Sequence, residues 1–354
     1  MTTDADRRFR PSKRLAAIGG YAFDEVNRRV DALRAQGISP IDFGVGDPTV
    51  PTPAIAREAV KRAVDARATS GYPAYEGDPA FREAIAAWSK RRFGVTLDPR
   101  TEVCVTIGSK EAVFNIHEGL VDPGDLVLCP SPGYPPYKRG TAFAEGTPWF
   151  YPLVREHGFL PDLDAIPPAV AAKARAIWVC YPNSPSGAVA DEAFYRRLLA
   201  WADRYGVTVL SDEAYSEIWF DHAPRGAIEF GLENLLVFQT LSKRSAMTGY
   251  RSGFIAGDPE MIALLRKIRP SQGVATPAFV QEAAIEAWSD EEHVADQRRI
   301  YAEKREILLP LLRRKGLRIG GTQATFYLWF TTPRGSSEAF ARELLEQGVV
   351  VTPG

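Results

Sequence analysis

Six short, continuous apolar runs set the limits on how this chain can fold. They cover residues 103–107, 126–129, 176–180, 207–211, 235–238 and 254–256, with stretches of helical period at 111–120, 192–205 and 260–268 between them. Strands with no polar alternation are buried on both faces, and helical crossovers join parallel neighbours. The expected fold is α/β: a three-layer sandwich with a mostly parallel central sheet between helices. Ligands in such sheets bind beyond the carboxyl ends of the strands.

The flanking segments read differently. Phe23, Val26, Val30 and Leu33 recur at helical spacing across 21–36, behind an arm-like lead at 1–13. Ile41-Asp42-Phe43 then enters a glycine turn, Gly44-Val45-Gly46-Asp47-Pro48, followed by helical patterns at 55–68 and 79–93. From Ala278 the chain changes character: a long amphipathic helix at 291–315, a strand at 324–330, a helix at 338–347 and the run Val349-Val350-Val351. The expected division is 1–50 as an arm and part of a small domain, 51–280 as the large domain, and 281–354 as the rest of a smaller α+β domain.

Composition excludes several classes. Forty-three basic and 44 acidic residues give a net charge of -1, which is neither a nucleic-acid footprint nor a polybasic membrane segment. Cys104, Cys129 and Cys180 are far apart and read as small buried hydrophobes of a reducing compartment. Four histidines and no His/Cys cluster predict no metal site. The opening residues are polar and no run is long enough to span a bilayer, so a cytoplasmic location is expected.

Nearly every predicted strand ends in a residue that could serve one site. Gly108-Ser109-Lys110 after the first run is either a phosphate seat at a helix start or a plain helix cap. Tyr134, in Ser131-Pro132-Gly133-Tyr134-Pro135, could stack on a planar ring or merely pack in a turn. Pro182-Asn183-Ser184-Pro185 holds Asn183 in a rigid loop, where it is a ligand contact or a turn residue. Asp212, at the end of a buried strand, needs a partner: a pyridinium nitrogen, with Tyr215 on the ring's phenolic oxygen, or a structural cation. Lys243 sits among Thr240, Ser242 and Arg251 where a strand gives way to a glycine-punctuated loop. That company suits an amine acting as a nucleophile beside a bound phosphate, although alone it could be a solvated basic loop.

In this order, Gly-Ser-Lys, Tyr134, Pro-Asn-Ser-Pro, Asp-Glu-Ala-Tyr (212–215), Ser242-Lys243 and Tyr250-Arg251-Ser252-Gly253, the chain resembles the fold type I, pyridoxal-phosphate-dependent aminotransferases of class I/II, from about Asp42 to the last residue. The resemblance implies that Lys243 binds pyridoxal 5'-phosphate covalently and then moves the proton, and that Asp212 pairs with the ring nitrogen. It places Tyr215 and Asn183 on the phenolic oxygen and Tyr134 over the ring. Ser109, Lys110, Thr240, Ser242 and Arg251 are placed on the phosphate. Tyr72 resembles the tyrosine that reaches the neighbouring subunit's phosphate, implying a homodimer with shared sites. Val45 and Gly46 match a turn that closes over the substrate, bordered by Asn183. The implied reaction moves an amino group from an amino acid to a 2-oxo acid, most often 2-oxoglutarate.

Within the family, the block from Leu241 to Phe254, Pro277-Ala278-Phe279-Val280-Gln281 and Ala324-Thr325-Phe326-Tyr327-Leu328-Trp329 look most like succinyldiaminopimelate aminotransferases of lysine and diaminopimelate synthesis. Enzymes acting on aspartate, alanine or aromatic amino acids share most of this frame. Arg244 is expected to be a solvated charge rather than a contact to a succinyl group. Family members also carry an arginine beyond the last strand-turn that grips the substrate carboxylate; the sequence ends at Gly354, so weak substrate binding is expected. The rival readings are a β-elimination or decarboxylation enzyme on the same fold, the ligand-sensing part of a transcription regulator, and a cofactor-binding protein with little activity.

Overall fold

The computed structural model describes residues 11–18 and 22–354. The lead expected at 1–13 lies mostly outside these residues, as do the helix start at Tyr21 and the side chains of Phe23 and Val26.

Among the described residues, nine strands form two sheets. The large one comprises β2 (Val103–Thr106), β3 (Leu126–Ser131), β4 (Thr147–Pro152), β5 (Ala174–Cys180), β6 (Thr208–Asp212), β7 (Leu235–Thr240) and β8 (Gly253–Gly257) in the order β2-β8-β7-β6-β5-β3-β4. A two-stranded sheet pairs β1 (Ile41–Asp42) with β9 (Val349–Val350) in parallel. All strands of the large sheet run one way except β8, which is antiparallel to both β2 and β7. Between β7 and β8 only residues 241–252 intervene, too few for the packed helix that a parallel crossover needs.

Period-two alternation sends the strand side chains to two separate cores. On one face Val105, Ile177, Val209 and Val237 pack with Trp88, Tyr195 and Trp288. On the other Val127, Trp178, Leu210 and Phe238 pack with Val113, Tyr137 and Ile262, and all three cysteines lie there. Burial raises the thiols of Cys104 and Cys129 to about 11 and about 12, so they behave as apolar filler.

The six apolar runs form β2, β3, β5, β6, β7 and β8, and the helices Pro79–Phe93 and Glu192–Tyr205 are found where the pattern places them. The helix expected at 111–120 begins on Ser109 and is interrupted at Ile116. Strand β4 and the helix Pro135–Phe143 were not expected; the latter opens on Pro135 and Pro136, good helix starters that also read as turn residues. The strand expected at 324–330 is absent. Thr325 has φ +65° and its amide donates to the Ile218 carbonyl, which breaks the extended run and leaves two isolated bridges, Trp219 with Ala324 and Ile319 with Phe330. The expected domain boundary at 280/281 falls inside the helix Ala278–Ser289, whose Ala283, Ala284, Ala287 and Trp288 lie in the core of the large sheet.

Among the described residues, no helix is long and apolar enough to cross a membrane, and no group of His, Cys, Asp or Glu could hold a metal ion.

Candidate active site

The C-terminal ends of the parallel strands converge on one edge of the sheet. Asp212 ends β6, Asn183 follows β5, Tyr134 follows β3 and Lys243 follows β7. The reversed strand supplies the remaining residue. Gly253, the first residue of β8, pairs with Thr240 at the end of β7 and with Thr106 at the end of β2. Arg251, just before β8, is thereby delivered to the same edge.

Asp212 is buried, and its oxygens accept from the Tyr137 hydroxyl at 2.8 Å and the Ala214 amide at 3.2 Å. Among the described residues no cation pairs with it. Burial pushes its carboxyl up to about 6, against the lowering effect of the Tyr137 and Ala214 hydrogen bonds. A carboxylate this poorly compensated is suited to a cationic ligand atom.

Lys243 lies in the four-residue helix Leu241–Arg244, capped by Thr240, whose hydroxyl accepts from the Ser242 amide at 3.1 Å. The Thr240 and Ser242 hydroxyls are 3.0 Å apart. The half-buried amine donates to the Gly46 carbonyl and lies 5.5 Å from the centre of the Phe326 ring. Desolvation lowers its pKa; Asp47 raises it, while Arg251 and Lys110 lower it further. This environment eases loss of the ammonium proton, the change a nucleophilic lysine needs.

Gly108 precedes the helix Ser109–Asn115 with φ +82°, and a Cβ there would lie 2.8 Å from Nη2 of Arg251. The backbone thus approaches the guanidinium as only glycine permits. Lys110, Arg139 and Arg251 line a cavity of about 680 Å³ beside it. The Ser252 hydroxyl is buried without a partner among the described residues. This cationic seat fits a phosphate, and the Asp212 end fits a protonated ring nitrogen, so the residues present fit pyridoxal 5'-phosphate.

Tyr215 is buried, its hydroxyl 3.0 Å from that of Tyr327. The Tyr327 hydroxyl occupies the space a Cβ on Gly46 would take. Asn183 is buried, with its side-chain oxygen accepting from the Ser186 amide and hydroxyl and its nitrogen donating to the Cys180 carbonyl. Tyr134 is half-buried and edge-on to Tyr137, ring centres 5.7 Å apart. Val45 is 53% exposed on the glycine turn, and Tyr72 is fully exposed, outside the cluster.

Arg244 is not the solvated charge expected from sequence. Its side chain is buried against Trp288, donating to the Ala287 carbonyl at 2.6 Å and to Glu291 at 2.7 Å. Sequence reasoning passed over Tyr137, whose signal was its place one helical turn beyond Tyr134, after the two prolines. The contacts of Tyr327 could not be read from spacing, because they depend on the kink at Thr325.

Comparison with known proteins agrees with this geometry. Residues 38–354 match the family Aminotransferase class I and II. The chain is 43% identical over 352 residues to the LL-diaminopimelate aminotransferase of Aquifex aeolicus, covering 98% of this chain and 91% of that one. The substrate-bound structure of BacF from Bacillus subtilis superposes with a TM-score of 0.93 at 34% identity, covering 98% and 90% of the two chains. A probable N-succinyldiaminopimelate aminotransferase from Thermus thermophilus superposes with a TM-score of 0.87 at 30% identity, covering 93% and 90%. The strand-end site and these likenesses lead to one conclusion: the chain is a member of the class I and II aminotransferases, of fold type I, and depends on pyridoxal 5'-phosphate.

Proposed function

We propose that the protein transfers an amino group from LL-diaminopimelate to a 2-oxo acid, 2-oxoglutarate being the expected acceptor. The observation that carries the chemistry is the placing at one sheet edge of a buried carboxylate with no cation partner among the described residues, Asp212, and a desolvated amine, Lys243. When bound, pyridoxal phosphate supplies an electron sink for the charge left on the substrate's α-carbon. Lys243 holds the cofactor and then carries the proton at its Nζ. Asp212 keeps a positive charge at the ring nitrogen, which a neutral environment would not. Tyr215 and Asn183 orient the phenolic oxygen, and Tyr134 covers the ring face. Ser109, Lys110, Thr240, Ser242 and Arg251 fix the phosphate, so that the reacting atoms are held in place before the reaction begins. Val45 and Gly46 border the substrate beside Asn183. The full exposure of Tyr72 suits a side chain that reaches a second copy's phosphate in a homodimer.

The expected succinylated substrate gives way to free LL-diaminopimelate, because the relative so named is 43% identical whereas the probable N-succinyldiaminopimelate enzyme is 30% identical. The test is a comparison of LL-diaminopimelate, its N-succinyl derivative and aspartate as amino donors to 2-oxoglutarate. A kcat/KM for LL-diaminopimelate at least about tenfold above the others is expected, since recognising or missing one polar group is worth that much or more. A preference for the succinylated donor would overturn the substrate assignment and leave the aminotransferase chemistry standing.

A further inference from the structure

Three successive residues of the Lys243 segment are gripped by one stretch of chain about fifty residues downstream. The Lys243 carbonyl accepts from Nε2 of Gln297 at 2.6 Å. Arg244 reaches the Ala287 and Asp290 carbonyls and the Glu291 carboxylate. The Ser245 hydroxyl lies 2.8 Å from Nε2 of His293, whose Nδ1 is 2.5 Å from the Asp290 carboxylate. Because Nδ1 must donate to that carboxylate, and burial lowers the imidazole pKa, Nε2 accepts and the Ser245 hydroxyl donates.

The need for such a clamp is local. The helix Leu241–Arg244 has a single turn, and the last carbonyls of a helix have no partner within it. Ala246 then turns the chain with φ +50°, a conformation costly for a residue with a Cβ. Left alone, this segment would leave the Lys243 backbone free to rotate, and with it the direction of the amine. His293 and Gln297 are one turn apart on the helix Glu292–Arg314 and face the segment together.

The same helix touches the other parts of the site. Tyr301, one turn beyond Gln297, packs on Phe326, which lies under the Lys243 amine. Arg298 donates to the Glu217 carbonyl on the Tyr215 segment, and Lys304 reaches the Thr49 hydroxyl beyond the glycine turn. One rigid element therefore references the lysine, the Tyr215 segment and both segments that cover the amine.

We propose that Gln297 and His293 are positioning residues for Lys243: they set the amine's direction by fixing the carbonyl of residue 243 and the hydroxyl of residue 245. This rests on Lys243 being the lysine that holds the cofactor. Neither residue touches substrate or cofactor in this account, so cofactor affinity and amino-acid affinity should hold while the rate falls.

The experiment uses the full chain loaded with pyridoxal phosphate and follows the single-turnover decay of its visible absorbance with L-glutamate. Gln297→Met keeps length and apolar bulk but removes the donor; His293→Leu removes the acceptor, and His293→Gln retains one. For Gln297→Met and His293→Leu the maximal rate is expected to fall about tenfold, the effect of losing one well-placed hydrogen bond. The half-saturating glutamate concentration and the pyridoxal phosphate affinity should stay within about twofold, and His293→Gln should recover most of the rate. Unchanged rates in both disruptive variants would overturn the clamp, as would parallel losses of rate, cofactor affinity and melting temperature. Borohydride reduction and peptide mapping of the parent separates this from the underlying reading: a label at Lys243 with unaffected variants sinks the clamp alone, whereas a label at another lysine sinks both.

Discussion

The Tyr137 hydroxyl donates a 2.8 Å hydrogen bond to Oδ2 of Asp212, and both groups are buried. Tyr137 is itself fixed by stacking on Trp178, ring centres 4.5 Å apart and 12° from parallel. Tyr137→Phe keeps the stack and removes the donor. That hydrogen bond lowers the Asp212 pKa, which burial has raised to about 6, so its loss moves the carboxyl further up. Hydrogen bonds to charged groups are worth about 1.5–3 kcal/mol, or one to two pKa units. In the cofactor-free protein the pH below which pyridoxal phosphate affinity falls should therefore move up by about one unit, read as cofactor affinity against pH. An unmoved profile would show that ionisation of Asp212 does not govern cofactor binding.

Gly46 and Tyr327 make the second prediction. A methyl at residue 46 would overlap the Tyr327 hydroxyl and come within 3.0 Å of the ring carbon bearing it. Gly46→Ala should displace the turn that accepts the Lys243 amine's hydrogen bond and lower kcat/KM by about tenfold or more. Tyr327→Phe removes the clashing oxygen, so the double variant should lose less than the sum of the two single losses, measured as a coupling in log kcat/KM. Strict additivity would mean the two residues do not meet.

His117 makes a prediction about stability in acid. It is buried between Phe114, whose carbonyl it meets at 3.0 Å, and Trp178, whose indole N–H donates to Nε2 at 3.0 Å. Burial lowers its pKa from 6.5 to about 4. The unfolded chain then binds this proton at a higher pH than the folded one, so stability is full above about 6.5 and falls as pH drops toward 4. The shift corresponds to about 3 kcal/mol at most. Buried Asp212 and Glu213 act in the opposite sense, their pKa values being raised to about 6 and about 7, so the effect must be read as a difference. Denaturant unfolding of the parent and His117→Gln between pH 4 and 7 should show the smaller acid loss in the variant. Equal losses would contradict the assignment.

Much of this site was legible in the sequence because parallel β/α architecture puts function at strand ends. Once residues 207–211 and 235–238 read as buried strands, Asp212 and Lys243 had to share an edge. Arg251 was legible from its neighbours but its route was not, since it depends on β8 running backward. Tyr137 was hidden because Pro135-Pro136 signals a turn as well as a helix start. Arg244 was misread as solvated because a charged residue's burial depends on partners such as Ala287 and Glu291, which no local pattern reveals. The segment 324–330 has the composition of a strand, yet the hydrogen bond from Thr325 to Ile218 overrides it.

The proposed role of Lys243 is to hold pyridoxal phosphate and give it up to an amino donor. The most direct test is the absorbance spectrum of the purified chain with pyridoxal phosphate, before and after LL-diaminopimelate, alongside Lys243→Ala. A visible band in the parent that moves toward the near ultraviolet with the donor is expected, and no lysine-linked band in the variant. A folded parent without the band, or a Lys243→Ala protein that retains it, would contradict the role of Lys243.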